Sequence, residues 1–232
     1  MNRNTIEAIV IGVVATGLSY LTGITAGWIH GVNIIELLAV FTSYMSTYLC
    51  VKERRLNYPL GAISSVLYAI VFFQQGLLAS MMLNIYLAPA LIYGWFRWRN
   101  DADARPVSRL DWRWIPVYVA VTGVAYAIAA FLADQLGGTL AITDSFILVG
   151  TILAQFLLDN KKLENWIIWA VVNVFAIYTY FNAELYLAAF QYVLFLANTV
   201  YGFYTWRKSM RNAQSVRFDD SPPSNARPLV TD

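Results

Sequence analysis

Eight apolar stretches, each long enough to cross a bilayer, constrain this chain more than any other feature. They run approximately over 6–26, 33–51, 58–75, 78–97, 114–133, 143–159, 165–181 and 184–206. A helix rises about 1.5 Å per residue, so roughly 20 residues span a hydrocarbon core of about 30 Å. Composition agrees: 59% of the 232 residues are apolar and 13% are charged. A soluble domain carries about 25% charged residues, so nearly half the usual solubilising charge is missing. We therefore expect an all-α membrane protein with eight transmembrane helices. The first stretch lacks a short h-region followed by a small-residue cleavage site, so it is expected to remain a span.

The connections alternate in chemistry. Those holding Lys52, Arg54 and Arg55, then Arg97 through Arg113, then Lys161 and Lys162, and last Arg207, Lys208 and Arg211, are basic. The intervening connections at 27–32, 76–77, 134–142 and 182–183 contain no Lys or Arg. The positive-inside rule then places both termini in the cytoplasm. On that orientation Trp95, Trp98, Trp112, Trp114 and Trp206 fall at cytoplasmic ends and Trp28 at an outer end, the belt position that indole rings favour. Pro59 and Pro116 sit in first turns, where a missing N–H costs nothing, whereas Pro89 falls inside the fourth span and should kink it. The polar tail from about 212, with Pro222 and Pro223, is expected to be disordered.

The chain also resembles itself. A shift of 108 residues aligns 36–99 with 144–207 without a gap and gives ten identities. The closest match sets Tyr93-Gly94-Trp95-Phe96-Arg97-Trp98-Arg99 against Tyr201-Gly202-Phe203-Tyr204-Thr205-Trp206-Arg207. Each copy holds three spans with one span between them, so both enter the membrane from the same side and are parallel, as in SWEET sugar carriers. The expected organisation is an extra N-terminal transmembrane helix (1–32), a first three-helix repeat (33–100), a linker helix (101–140), a second repeat (141–208) and a cytoplasmic tail (209–232).

The interior is expected to be polar but uncharged. Glu7, Glu36, Asp144 and Glu184 lie within about a turn of helix ends, and no ionisable side chain is expected deep in a span. Ion-driven carriers commonly keep such a group in the membrane, so passive movement is favoured. Neutral polar residues gather in the second repeat. Asp144, Leu148, Thr151 and Gln155 share one face of the sixth span, Trp166, Trp169, Asn173 and Tyr180 one face of the seventh, and Gln191 and Asn198 one face of the eighth. Asn84, Tyr68 and Thr47 can join them from the first repeat. An amide facing lipid would strand its donors at a cost of kilocalories, so these side chains should point inward. Against this stand plainer roles: interhelical hydrogen-bond glue for the amides, backbone bonding for Thr47 and Thr151, and a belt position for Trp166. Two indoles with amides on adjacent helices suit a flat heteroaromatic solute, and a cationic ring would gain cation–π attraction of about 2 kcal/mol or more. Cys50 and His30 are each single, which leaves neither a metal cluster nor a nucleophile with its base. No catalytic residue, metal, cofactor or nucleic-acid partner is expected.

At these residues the sequence resembles the PnuC family of vitamin transporters. The likeness lies in Glu164-Asn165-Trp166-Ile167-Ile168-Trp169 followed by Asn173, preceded by Gln155 and Lys161-Lys162. It extends to the Tyr-Gly-x-x-x-Trp ends of both repeats and to Leu185-Tyr186-Leu187 with Gln191-Tyr192, covering about 33–208. The resemblance implies a 3+1+3 helix arrangement and a homotrimer in the bacterial inner membrane. It also implies uptake of nicotinamide riboside by facilitated diffusion, with phosphorylation trapping the solute in the cytoplasm. By motif position it makes Trp166, Trp169, Asn173 and Gln155 substrate contacts; helical facing adds Gln191, Asn198, Asn84, Thr151 and Tyr68. Thiamine or riboflavin on the same scaffold is the alternative, with a SWEET-like sugar carrier behind it. An intramembrane enzyme and a purely structural protein are the contrasting classes.

Overall fold

The computed structural model describes residues 3–29, 31, 33–74, 78–98, 105–135, 141–182 and 184–219. Among these it forms eight α-helices: α1 Arg3–Thr25, α2 Ile34–Val51, α3 Asn57–Gln74, α4 Leu78–Arg97, α5 Ile115–Gln135, α6 Ala141–Asp159, α7 Asn165–Asn182 and α8 Tyr186–Asp219. A single 3-10 turn, Trp112–Trp114, leads into α5. Helix is the only form in which segments this apolar satisfy every backbone group within themselves. Caps sharpen the starts. The Asn33 side chain accepts from the N–H groups of Ile35 (3.0 Å) and Glu36 (3.4 Å), with Glu36 itself in the positive first turn of α2.

Five helices, α1, α2, α5, α6 and α8, are long and apolar enough to cross a membrane by length and composition alone. The other three are 18 to 20 residues long, and α3 and α7 are diluted by buried polar groups, among them Ser64, Ser65 and Asn173. Helix α4 is continuous through Pro89. Helix α8 runs to Asp219, well past 212, so part of the tail expected to be disordered is helical; 220–232, with Pro222 and Pro223, lies outside the described residues, as do His30 and 99–104.

Helices α2, α3 and α4 pack in sequence, as do α6, α7 and α8, and the two sets meet where α2 touches α8 and α4 touches α6. Helix α5 packs on α6 and buries none of its residues, while α1 lies against α2 and α8. The 108-residue offset is written into the turns. Glu53 and Lys161 both adopt left-handed backbone, with φ of 52° and 50°. Around them Arg54 N–H reaches Leu49 O and Lys162 N–H reaches Leu157 O, each at 2.9 Å. The two turns then join each other: Lys161 Nζ lies 2.9 Å from Glu53 Oε2. Lys161 is buried, and Lys161→Ala would leave Glu53 unpaired at the bundle end. Because the Glu53 side chain keeps about a fifth of its surface in water, we expect a loss of about 2 kcal/mol, less than for a fully buried pair. Thermal unfolding in detergent checks it; an unchanged midpoint would show that the pair contributes nothing.

Two of the belt tryptophans are misplaced by the sequence. Trp112 and Trp114 are exposed as expected, but Trp98 and Trp206 are buried, and each crosses to the opposite half. Trp98 Nε1 donates to Asp159 O at 3.2 Å and Trp206 Nε1 to Cys50 O at 3.2 Å. A helix end beside a second helix end gives an indole a carbonyl to reach, and that outweighs the headgroup region. Trp166, left open between belt and pocket, is buried against Trp206, edge to face with ring centres 5.3 Å apart.

Candidate functional site: a cavity between the two halves

A cavity of about 670 Å³ runs between the two three-helix sets. All nine sequence-predicted contacts line it: Trp166, Trp169 and Asn173 from α7, Thr151 and Gln155 from α6, Gln191 and Asn198 from α8, Tyr68 from α3 and Asn84 from α4. The three-, four- and seven-residue steps from Trp166 to Trp169, Asn173 and Tyr180 keep those α7 side chains on one face, and all four reach the cavity. The α6 face is only half right. Thr151 and Gln155 line the space, but Asp144 and Leu148 do not. One turn higher the inward residue is Ile147, packed in an apolar cluster with Val172, Ala176, Tyr180 and Ala189.

Several of these polar groups are already engaged. Tyr68 donates its hydroxyl to Gln191 Oε1 (2.7 Å), linking the halves. Asn173 Nδ2 donates to Thr199 Oγ1 (3.0 Å), and Asn198 Nδ2 to Thr47 O (3.2 Å). Asn84 Nδ2 donates to Ser80 O (2.9 Å) of its own helix, and Thr47 Oγ1 bonds its own backbone at Tyr44 O (3.1 Å). Glue therefore describes part of what Asn173 and Asn198 do. Two buried donors behave differently. Trp166 Nε1 and Gln191 Nε2 have no partner, although both side chains line the cavity. An unsatisfied buried donor costs about 1–3 kcal/mol, so a guest whose acceptor reached either one on a small shift of its side chain would gain affinity.

Sequence reasoning missed three things. Ser64 and Ser65 line the cavity from α3, and Ser64 Oγ bonds Ala39 O (2.9 Å); lone serines in an apolar run gave no pattern. Glu36, Glu184 and Trp28 form a mouth at the end away from the basic turns, where Trp28 packs on Tyr186 with ring centres 5.5 Å apart. A buried carboxylate does exist. Asp159, the last residue of α6, is 4% exposed. One of its oxygens accepts from Tyr58 Oη and Gln155 Nε2, both at 2.8 Å. Its place at a helix end suggested solvent; packing of the two halves removes it. The cavity lining contains no Lys, Arg or His among the described residues, and no group of His, Cys, Asp or Glu there could hold a metal ion.

The duplication explains how the cavity is furnished. At the 108-residue offset Thr47 corresponds to Gln155, Gly61 to Trp169 and Ser65 to Asn173, and all six positions line the space. The same backbone positions thus face inward in both halves, with bulk and amides retained in the second.

Residues 33–208 match a family described as nicotinamide mononucleotide transporter. The chain belongs to that family. Its members are membrane transporters, not enzymes. Among its relatives is the nicotinamide riboside transporter PnuC of Escherichia coli (strain K12), 25% identical over 211 residues that cover 78% of this chain and 88% of the relative. A more distant one is the riboflavin/roseoflavin transporter RibM of Streptomyces davaonensis, 26% identical over 140 residues, or 57% of this chain and 65% of RibM. The fold agrees with a crystal structure of the vitamin B3 transporter PnuC, with a TM-score of 0.71 and 25% identity over 88% of this chain and 92% of that one.

Proposed function

We propose that this member of the family carries nicotinamide riboside across the bacterial inner membrane by facilitated diffusion, with phosphorylation in the cytoplasm trapping the solute. The observation that supports it most is a cavity lined by Trp166, Trp169, Asn173 and Gln191 without a single basic side chain among the described lining residues, with the buried Trp166 Nε1 and Gln191 Nε2 beside it still unpartnered. A planar cationic ring finds aromatic faces there, its carboxamide and ribose oxygens find the amide and hydroxyl groups of the lining, and a phosphate would find no cation among the described lining residues. That favours the nucleoside over its phosphorylated form. Asp159 does not line the cavity, and two donors already share one of its oxygens, so it offers no open proton site to the solute.

The helix packing supports a parallel 3+1+3 arrangement with α1 added outside it and both termini in the cytoplasm. A homotrimer is what the family resemblance implies, and the unburied α5 leaves apolar surface that further copies or lipid would cover. The same packing supports a division into a first repeat at 33–100, a linker helix at 101–140 and a second repeat at 141–208.

Calorimetry and counterflow in proteoliposomes test the substrate. Heat with nicotinamide riboside, counterflow of the labelled nucleoside and indifference to a proton or sodium gradient are the expected results. Binding of riboflavin alone would replace the substrate, a second reading that the RibM relative and the ample cavity favour. Accumulation that an ionophore abolishes would overturn facilitated diffusion.

A further inference from the structure

We infer that Tyr58 and Asp159 form the latch that closes the basic end of the cavity, and that Gln155 ties this latch to the solute site. The inference takes from the proposed function only that the cavity is a solute path. The cavity begins at Gly27, Trp28, Glu184 and Tyr186, where Gly27, Trp28 and Glu184 are exposed, and ends at Cys50, Asn57, Leu158 and Trp166. Beyond that floor lie the turns that carry the basic residues, and none of 52–56 or 160–164 lines the cavity.

What blocks the path is a set of bonds that all run between the halves. Tyr58 Oη donates to Asp159 Oδ1 (2.8 Å) across 101 residues of sequence. Trp98 and Trp206 each donate to a carbonyl of the opposite half, and Lys161 pairs with Glu53. Tyr58, Asp159, Trp98 and Trp206 are all below a tenth exposed. Separation of the halves at this end requires these bonds to break together. On the mouth side the halves are joined by the neutral bond of Tyr68 to Gln191 (2.7 Å), and among the described residues there Glu36 and Glu184 have no cation within pairing distance, so the charged contacts between the halves gather at the basic end.

The latch touches the site at two points. Gln155 lines the cavity and donates to the same Asp159 oxygen as Tyr58 (2.8 Å). Trp166 lines the cavity and packs edge-on against Trp206. A guest that draws the Gln155 amide toward itself takes one donor from Asp159 and loosens the closure. Asp159 is thus a positioning residue, acting through Gln155, and not a substrate contact.

Cys50 provides the reporter. It is the only cysteine in the chain, it lines the floor of the cavity, and its carbonyl receives Trp206. In vesicles of known orientation, a membrane-impermeant maleimide should label Cys50 of the unaltered protein faster from the mouth than from the basic end. Tyr58→Phe, which keeps the ring and deletes the bond, should raise labelling from the basic end by about tenfold, the effect of losing one hydrogen bond to a charged group. Asp159→Leu should do the same, whereas Asp159→Asn keeps the acceptor oxygen and should retain the original sidedness.

Unchanged sidedness in both Tyr58→Phe and Asp159→Leu overturns the latch. Equal loss of sidedness in Asp159→Asn also overturns it, because general loosening of packing would then be the cause. Since labelling needs no solute, a wrong substrate leaves this result intact. Nicotinamide riboside added to the unaltered protein should speed labelling from the basic end if it is the solute.

Discussion

Trp169→Ala should weaken nicotinamide riboside binding by about two orders of magnitude while leaving the protein folded. Trp169 stands between two apolar clusters, one shared by the two halves and one within the second half, packed against each and sealed into neither. Its ring is therefore free to meet a guest. Stacking of a base on an aromatic side chain is worth about 1–3 kcal/mol, and a desolvated cation over the ring adds about 2 kcal/mol. Loss of roughly 3 kcal/mol corresponds to about a hundredfold change in dissociation constant. Trp169→Phe keeps a smaller ring and should lose about tenfold. The charge part can be separated from the stacking part by comparing the oxidised nucleoside with its uncharged dihydro form, which should lose less from the alanine change. Calorimetry on purified protein reads all three. An alanine variant within threefold of the original would show that the solute binds elsewhere in the cavity.

The reach of the sequence follows from what each residue type can do in a bilayer. An inward amide has few alternatives in hydrocarbon, so Gln155, Asn173, Gln191 and Asn198 were legible from helical facing alone, and the cavity contains all four. Tryptophan has alternatives. A ring near a helix end suits the headgroup layer as well as a buried contact, and Trp98 and Trp206 chose the carbonyls of the opposite half. Nothing short of the packing between halves distinguishes them from Trp112 and Trp114. Asp159 shows the same limit for charge: at the end of α6 a carboxylate is expected in water, but Tyr58, from a helix 101 residues earlier, closes over it. The duplication was weak as a count of identities. Its weight comes from Glu53 and Lys161, which share a left-handed backbone and then pair with each other. Left-handed geometry at a non-glycine position is uncommon, and no pattern of side chains announces it.

Gly94 and Gly202 occupy equivalent places in the two halves, and alanine should affect them in different ways. A Cβ on Gly94 would lie 2.0 Å from Cε1 of Tyr58, and one on Gly202 would lie 2.5 to 2.7 Å from the six-membered ring of Trp166. Tyr58 has no retreat. It is fully buried, its hydroxyl is held by Asp159, and Trp98 stands edge-on at 5.2 Å. Overpacking of this kind costs about 1–3 kcal/mol, and more where the neighbour is fixed, against roughly 1 kcal/mol gained in helix propensity. Gly94→Ala should therefore lower the thermal midpoint by many degrees or prevent recovery of folded protein. Trp166 differs because one side of it faces the cavity. Gly202→Ala can push that indole into the empty space, so the stability loss should be small and the binding loss large, about tenfold or more for a shift of roughly 1.4 kcal/mol. Thermal unfolding and calorimetry on both variants separate the two effects. If the two alanines cost equal stability and leave affinity alike, then Trp166 is as fixed as Tyr58, and its ring belongs to the scaffold and not to the solute site.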